Sequence, residues 1–111
     1  MKLMIVDDNP RIRKVIREIL SNTFDEFLEH NDGEGASLLY QTFNPDWVVM
    51  DIKMIEVDGI EATKEIIKKH PAAKIVIVSH FADKETQNEA LMAGAKLFIS
   101  KENLTELTEV F

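Results

Sequence analysis

MKLMIVDDNP, residues 1–10, runs from an apolar segment, Leu3 to Val6, straight into two adjacent carboxylates, Asp7 and Asp8. A short apolar run without polar alternation reads as a strand buried on both faces. Pro10 suits the first turn of a helix, with Asn9 or Asp8 as its cap. Ile12, Val15, Ile16, Ile19 and Leu20 then recur at helical spacing as an inward face. The first unit is therefore strand, acidic turn, helix. Two like charges at the mouth of a buried strand repel each other and lose hydration. Unless they lie in water, something must offset that cost.

The same alternation continues along the chain. Trp47–Met50, Ile75–Val78 and Leu97–Ile99 are further apolar runs, with a weaker one around Phe27–Leu28. Helical patterns fill the gaps. One is expected over 34–42, with Ala36, Leu39, Tyr40 and Phe43 inward. Another follows Gly59, carries Ile60, Thr63, Ile66 and Ile67, and is stopped by His70-Pro71. A fourth opens at Asp83 as N-cap and ends at Gly94. A short fifth starts after Asn103 with Leu104, Leu107 and Phe111 inward. The order βαβαβαβαβα implies an α/β fold: a doubly wound, five-stranded parallel sheet with helices on both faces.

Composition narrows the function classes. The 111 residues suit one domain with one core, over 1–111. A net charge of −7 argues against nucleic-acid or anionic-membrane binding by this chain. The absence of cysteine excludes disulfides and thiolate chemistry and fits a reducing, cytoplasmic setting. With the first strand at residue 2, no signal peptide is expected. No apolar stretch approaches the roughly 20 residues of a membrane helix.

In a parallel sheet the carboxyl ends of all strands share one edge, and ligands bind there where the strand order reverses. Asp7 and Asp8 follow the first strand, Asp51 the third, Ser79 the fourth, and Lys101, past Ser100, the fifth. In the order 2-1-3-4-5 strands 1 and 3 are neighbours, so Asp7, Asp8 and Asp51 converge. A hard divalent cation such as Mg²⁺ suits such a carboxylate cluster and offsets its repulsion.

These residues, with Pro45-Asp46, Met54, Asp58-Gly59, Ala93-Gly94-Ala95 and Phe98 to Lys101, give the chain its resemblance. It is similar over nearly its whole length to the receiver domain of two-component response regulators, with their flavodoxin-like (CheY-like) fold. DGIEATKEI and AGAKLFISKENLTEL are most similar to receivers that carry a LuxR-type DNA-binding domain. The resemblance implies that Asp51 is the phosphoacceptor, served by a sensor histidine kinase. It implies that Asp7, Asp8, Asp51 and the main-chain carbonyl of Lys53 hold Mg²⁺. Lys101 and Ser79 contact the phosphoryl group, Phe98 is the switch aromatic, and the surface of the fourth helix, fifth strand and fifth helix changes. It implies a signalling domain rather than an enzyme with a separate substrate, and it allows a homodimer and a DNA-binding output domain in a longer parent protein.

Blander roles compete for single residues. Asp7 and Asp8 can cap the first helix, Ser79 can be a turn residue, and Lys101 can be surface charge. Asp58-Gly59 reads as turn chemistry, His30 and His70 as solvated, and His80 as a shaper of access to Asp51. The receiver pattern is broken at Ile55, where proline usually follows methionine, which adds an N–H and frees φ. It is also broken at His80, where a small residue is usual, and in the short last helix. A flavin carrier is disfavoured, because DDNPR would repel a flavin phosphate. A haloacid-dehalogenase-type phosphatase needs its second Asp at position 9, where Asn9 stands. A pseudo-receiver, a phosphorylation-independent interaction module, is the remaining alternative.

Overall fold

A computed structural model describes all 111 residues. The strands are β1 (Lys2–Val6), β2 (Glu26–His30), β3 (Trp47–Asp51), β4 (Ile75–Ser79) and β5 (Leu97–Ser100). The helices are α1 (Pro10–Ile19), α2 (Ala36–Phe43), α3 (Gly59–Lys69), α4 (Lys84–Met92) and α5 (Leu107–Val110), the last preceded by a 3₁₀ segment over Lys101–Glu106. The sheet order is β2-β1-β3-β4-β5, and all four pairings are parallel.

Side chains alternate across each strand, and each face of the sheet carries its own core. Met4, Val6, Val48, Met50, Ile75 and Ile77 face α2, α3 and α4, where Tyr40, Ile66 and Ala90 close one core. Leu3, Ile5, Val49, Val76, Val78 and Ile99 face the other way, against Ile16 of α1 and against Leu104 and Leu107. That alternation also sorts the residues at the strand ends. Asp7, Asp51 and Lys101 each stand two residues beyond a member of the second set (Ile5, Val49 and Ile99), so they share one side of the sheet.

Local chemistry fixes the helix starts. Asn9, not Asp8, caps α1, its Oδ1 accepting from Arg11 N at 2.9 Å. Asp58 and Asp83 cap α3 and α4 by accepting from Glu61 N and Thr86 N. Gly94 follows α4 with φ 112°, the left-handed value expected of a residue just past a helix.

Five expectations are corrected. α2 begins at Ala36 rather than at residue 34, because Gly35 takes φ 78°, outside the helical region. Val15 is exposed rather than inward, leaving Ile16 as the fully buried residue of α1. His70 is not solvated: its ring lies 4.9 Å from that of Tyr40, and its Nε2 is buried without a hydrogen-bond partner. His30 is likewise engaged, Nε2 lying 2.6 Å from the carbonyl of Glu34. The fifth helix differs most. Asn103 breaks it at φ −124° and ψ 40°, Ser100 Oγ accepts from Glu102 N, and only the last turn is α-helical. Leu104 and Leu107, three residues apart, suit the three-residue repeat of a 3₁₀ helix, and both are buried. Phe111 ends the chain edge-on to Phe24 and Trp47.

Candidate functional site: an acidic cluster at the sheet edge

The carboxyl ends of β1 and β3 flank the point where the strand order reverses. Val6 pairs with Met50, so Asp7 and Asp51 are the next residues along neighbouring strands. Ligand oxygens of Asp7, Asp8 and Asp51 all lie within 4.8 Å of one another. Asp7 and Asp51 are buried, and Asp8 is exposed. The backbone around Asp7 is tightly held. Its N–H donates to His30 O, its carbonyl accepts from Arg13 Nη1 at 2.6 Å, and its Oδ1 accepts from Asn9 N at 2.8 Å. Neither Asp7 nor Asp8 caps α1, so the capping role proposed for them belongs to Asn9.

The repulsion between the carboxylates is offset by a cation from β5's end. Lys101 Nζ lies 2.9 Å from Asp7 Oδ2 and 2.9 Å from Asp51 Oδ1, and all three side chains are at most 5% exposed. One ammonium therefore bridges two buried carboxylates, and the cluster keeps an excess of negative charge. Burial pushes the Asp51 carboxyl up to about 6; Lys101 opposes the rise and Asp7 adds to it. For Lys101, burial works to lower the pKa, but Asp7 and Asp51 together raise it, which holds the ammonium charged.

Asp7 Oδ2 is buried, and the shared Lys101 ammonium 2.9 Å away is its one cationic neighbour. An all-oxygen set of three carboxylates with a lone pair left over fits a hard cation such as Mg²⁺. Asp8, Asn9, Asp51, Lys53, Ser79, His80, Phe81 and Lys101 line a cleft of about 150 Å³. That space suits an ion and a phosphoryl group and is too small for a nucleotide or a flavin, whose sites start near ~300 Å³. A larger, open depression over the exposed face of α3 holds none of these groups.

The other expected residues are placed as follows. Ser79 is buried at the end of β4, and its Oγ accepts from Phe81 N at 3.0 Å, so its own proton remains to be donated. Phe98 is half-buried against the core on the α2–α4 side. The side chain of Lys53 is exposed, its Nζ 5.6 Å from the ring centroid of Phe81. His80 is exposed on the wall of the cleft.

Two positions were not singled out from sequence. Gly59 reads as half of a turn, yet it is buried against the backbone of Asp51. A Cβ there would stand 1.7 Å from the carbonyl oxygen of Asp51. Asp32 went unremarked, and its carboxylate gathers four backbone N–H groups. The Asn31-Asp32-Gly33 turn after β2 was the available signal for it.

Comparison with known proteins agrees with this architecture. The sequence profile of the response regulator receiver domain matches residues 3–111. The chain belongs to that family. It is 40% identical over 101 residues to the chemotaxis protein CheY of Thermotoga maritima, covering 90% of this chain and 84% of that protein. It is 33% identical over 104 residues to the transcriptional regulatory protein DegU of Brevibacillus brevis, covering 92% of this chain but 44% of that longer protein. Among solved structures, a LuxR-family two-component response regulator from Aurantimonas superposes with a TM-score of 0.89 at 32% identity, over 97% of this chain and 79% of that one. A CheX–CheY–BeF₃–Mg²⁺ complex from Borrelia burgdorferi gives 0.89 at 29% identity, over 100% and 89%. No helix is long and apolar enough to cross a membrane.

Proposed function

We propose that this domain is a cytoplasmic phosphoacceptor that takes a phosphoryl group onto Asp51 from a sensor histidine kinase, in a reaction that requires Mg²⁺. The observation that carries this reading is the buried Asp51 carboxylate, bridged through Lys101 to Asp7 at the mouth of a cleft of phosphoryl size. Asp8, Asp51 and the main-chain carbonyl of Lys53 would hold the ion directly, with Asp7 acting mainly through water. Bound there, Mg²⁺ would neutralise charge on the oxygens of the transferring group.

The chain's own residues do the rest. A carboxylate oxygen of Asp51 forms the new bond to phosphorus as the phosphohistidine P–N bond breaks. The bonding pair leaves with the imidazole, and Asp51 becomes an acyl phosphate. Lys101 already touches Asp51 Oδ1, so its ammonium follows the negative charge onto a phosphoryl oxygen with little rearrangement. The Ser79 hydroxyl donates to another oxygen. Because Oγ also accepts from Phe81 N, a shift of Ser79 toward the phosphoryl group draws the loop after β4 with it. Phe98 turns further inward as Ser79 shifts. The exposed apolar Leu91, Met92 and Leu97 lie on the surface of α4, β5 and α5 that this bistable element would re-present to partners. A second copy of the domain, or an output domain in a longer parent protein, would read that surface.

Intact-mass spectrometry after incubation with acetyl phosphate tests the reading. Wild type gains one phosphoryl group only with Mg²⁺, and Asp51→Asn gains none. No gain in folded wild type would favour the phosphorylation-independent module instead. His80, on the cleft wall, screens the acyl phosphate from water. His80→Ala therefore loses the phosphoryl group faster than wild type, and equal rates would remove that role.

A further inference from the structure

We propose that Asp32, in the loop between β2 and α2, is a positioning residue for the phosphorylation site: it clasps the loop after β3 and so sets the place of the Lys53 main-chain carbonyl. The inference rests on the reading of that carbonyl and Asp51 as Mg²⁺ ligands.

In the loop from Ile52 to Asp58, Ile52, Met54 and Val57 pack in or against the core on the α2–α4 side. Lys53, Ile55 and Glu56 are exposed, Ile55 to 81%. The exposed stretch is held in addition by backbone bonds to the neighbouring loop. Asp32 Oδ2 accepts from Ile55 N at 3.0 Å and Glu56 N at 2.9 Å. Asp32 Oδ1 accepts from Val57 N at 3.0 Å and from Glu34 N at 2.9 Å, in its own loop. Gly33 N donates to Val57 O at 3.1 Å, and a Cβ on Gly33 would meet that oxygen at 2.3 Å, so the two loops touch backbone to backbone. At its far end the loop is pinned by Gly59 N donating to Ile52 O at 2.8 Å. Lys53 and Met54 are therefore strung between two fixed points.

The electrostatics agree. Burial works to raise the Asp32 carboxyl, but the backbone N–H groups outweigh it and bring it down to about 2. The acceptor is thus charged at neutral pH, and bonds to a charged acceptor are roughly twice as strong as neutral ones. Ile55 gains a meaning here. A proline at that position would have no N–H and would fix the loop through φ. Isoleucine frees φ, and its added N–H is one of the three loop donors that Asp32 holds. In this chain the carboxylate takes over the restraint that a proline ring would give.

Calorimetric Mg²⁺ titration and acetyl-phosphate uptake on wild type, Asp32→Ala and Asp32→Asn test the proposal. Loss of a group that orients a metal ligand weakens metal binding by about tenfold or more. Asp32→Ala is expected to lose about that factor in Mg²⁺ affinity and in uptake rate at low Mg²⁺. Uptake should return to near wild type at saturating Mg²⁺, which a merely structural defect would not allow. Amide exchange at Ile55, Glu56 and Val57 should quicken. Asp32→Asn keeps one acceptor oxygen and falls between the two, and it carries the test if the alanine variant does not fold. Wild-type Mg²⁺ affinity in the variants, or a loss of uptake that Mg²⁺ does not restore, overturns the positioning role. Absence of Mg²⁺-dependent uptake in wild type would instead strike at Asp51 as phosphoacceptor, while quickened exchange at residues 55–57 would still report the clasp.

Discussion

Gly59→Ala lowers the unfolding free energy by about 3 kcal/mol, the upper end of what overpacking costs, and slows phosphoryl uptake with it. The added methyl would stand 1.7 Å from Asp51 O and 2.7 Å from Asp51 C, with Met50 Cγ at 3.0 Å. Two of these three atoms are backbone, which cannot swing aside as a side chain does. Relief requires either α3 to lift from the sheet or the end of β3 to move. The first exposes Ile60 and Ile66 of the core, and the second displaces the carboxylate proposed to accept the phosphoryl group. Urea denaturation checks the size of the loss, and a wild-type midpoint would show that α3 can retreat freely. An equivalent change at exposed Lys64 should shift the midpoint by no more than about 0.5 kcal/mol.

Asp51→Asn makes the metal-free protein more stable than wild type at neutral pH, and the gap closes in acid. The folded-state pKa of Asp51 is raised from 3.8 to about 6, chiefly by burial. A raised carboxyl contributes stability that is fully present below the unfolded pKa and is lost as pH rises through the folded one. Wild type therefore loses stability between about pH 4 and pH 7, by at most about 3 kcal/mol, the equivalent of a two-unit shift. The asparagine variant lacks this titration. The difference between the two proteins isolates Asp51 from Asp32, whose lowered pKa acts in the opposite sense, its stabilisation fading only as pH falls from about 4 through about 2. Mg²⁺, in the proposed role, would bind the ionised form and should narrow the gap at pH 7.5. Thermal melts from pH 4 to 8, with and without Mg²⁺, measure it. A pH-independent difference would mean that Asp51 is not electrostatically strained.

Why the sequence discloses so much is physical. The fully buried parallel strands demand uninterrupted apolar runs, so β1, β3 and β4 stand out. Parallel topology then forces the residues after those runs to one edge, which exposes Asp7, Asp51, Ser79 and Lys101 as a set. β2 was only faintly legible because it is an edge strand with Glu26 and Glu29 exposed. The fifth helix was misjudged because Leu104, Leu107 and Phe111 satisfy an α-helical spacing as well as a 3₁₀ turn, and only the kink at Asn103 decides between them. Gly59 and Asp32 act on backbone atoms of other segments, and no side-chain pattern reports which carbonyl or N–H a residue will meet. Ile55 shows the same limit. Its added N–H could be read from sequence, but its partner lies twenty-three positions away.

The most direct test of the account is to locate the phosphoryl group chemically. Borohydride reduces an aspartyl phosphate to homoserine, and tandem mass spectrometry then reads the modified position. After acetyl phosphate and Mg²⁺, homoserine is predicted at residue 51 and at no other aspartate. Homoserine at position 7 or 8, or none in protein that has gained phosphate, would contradict the assignment of Asp51 as the acceptor.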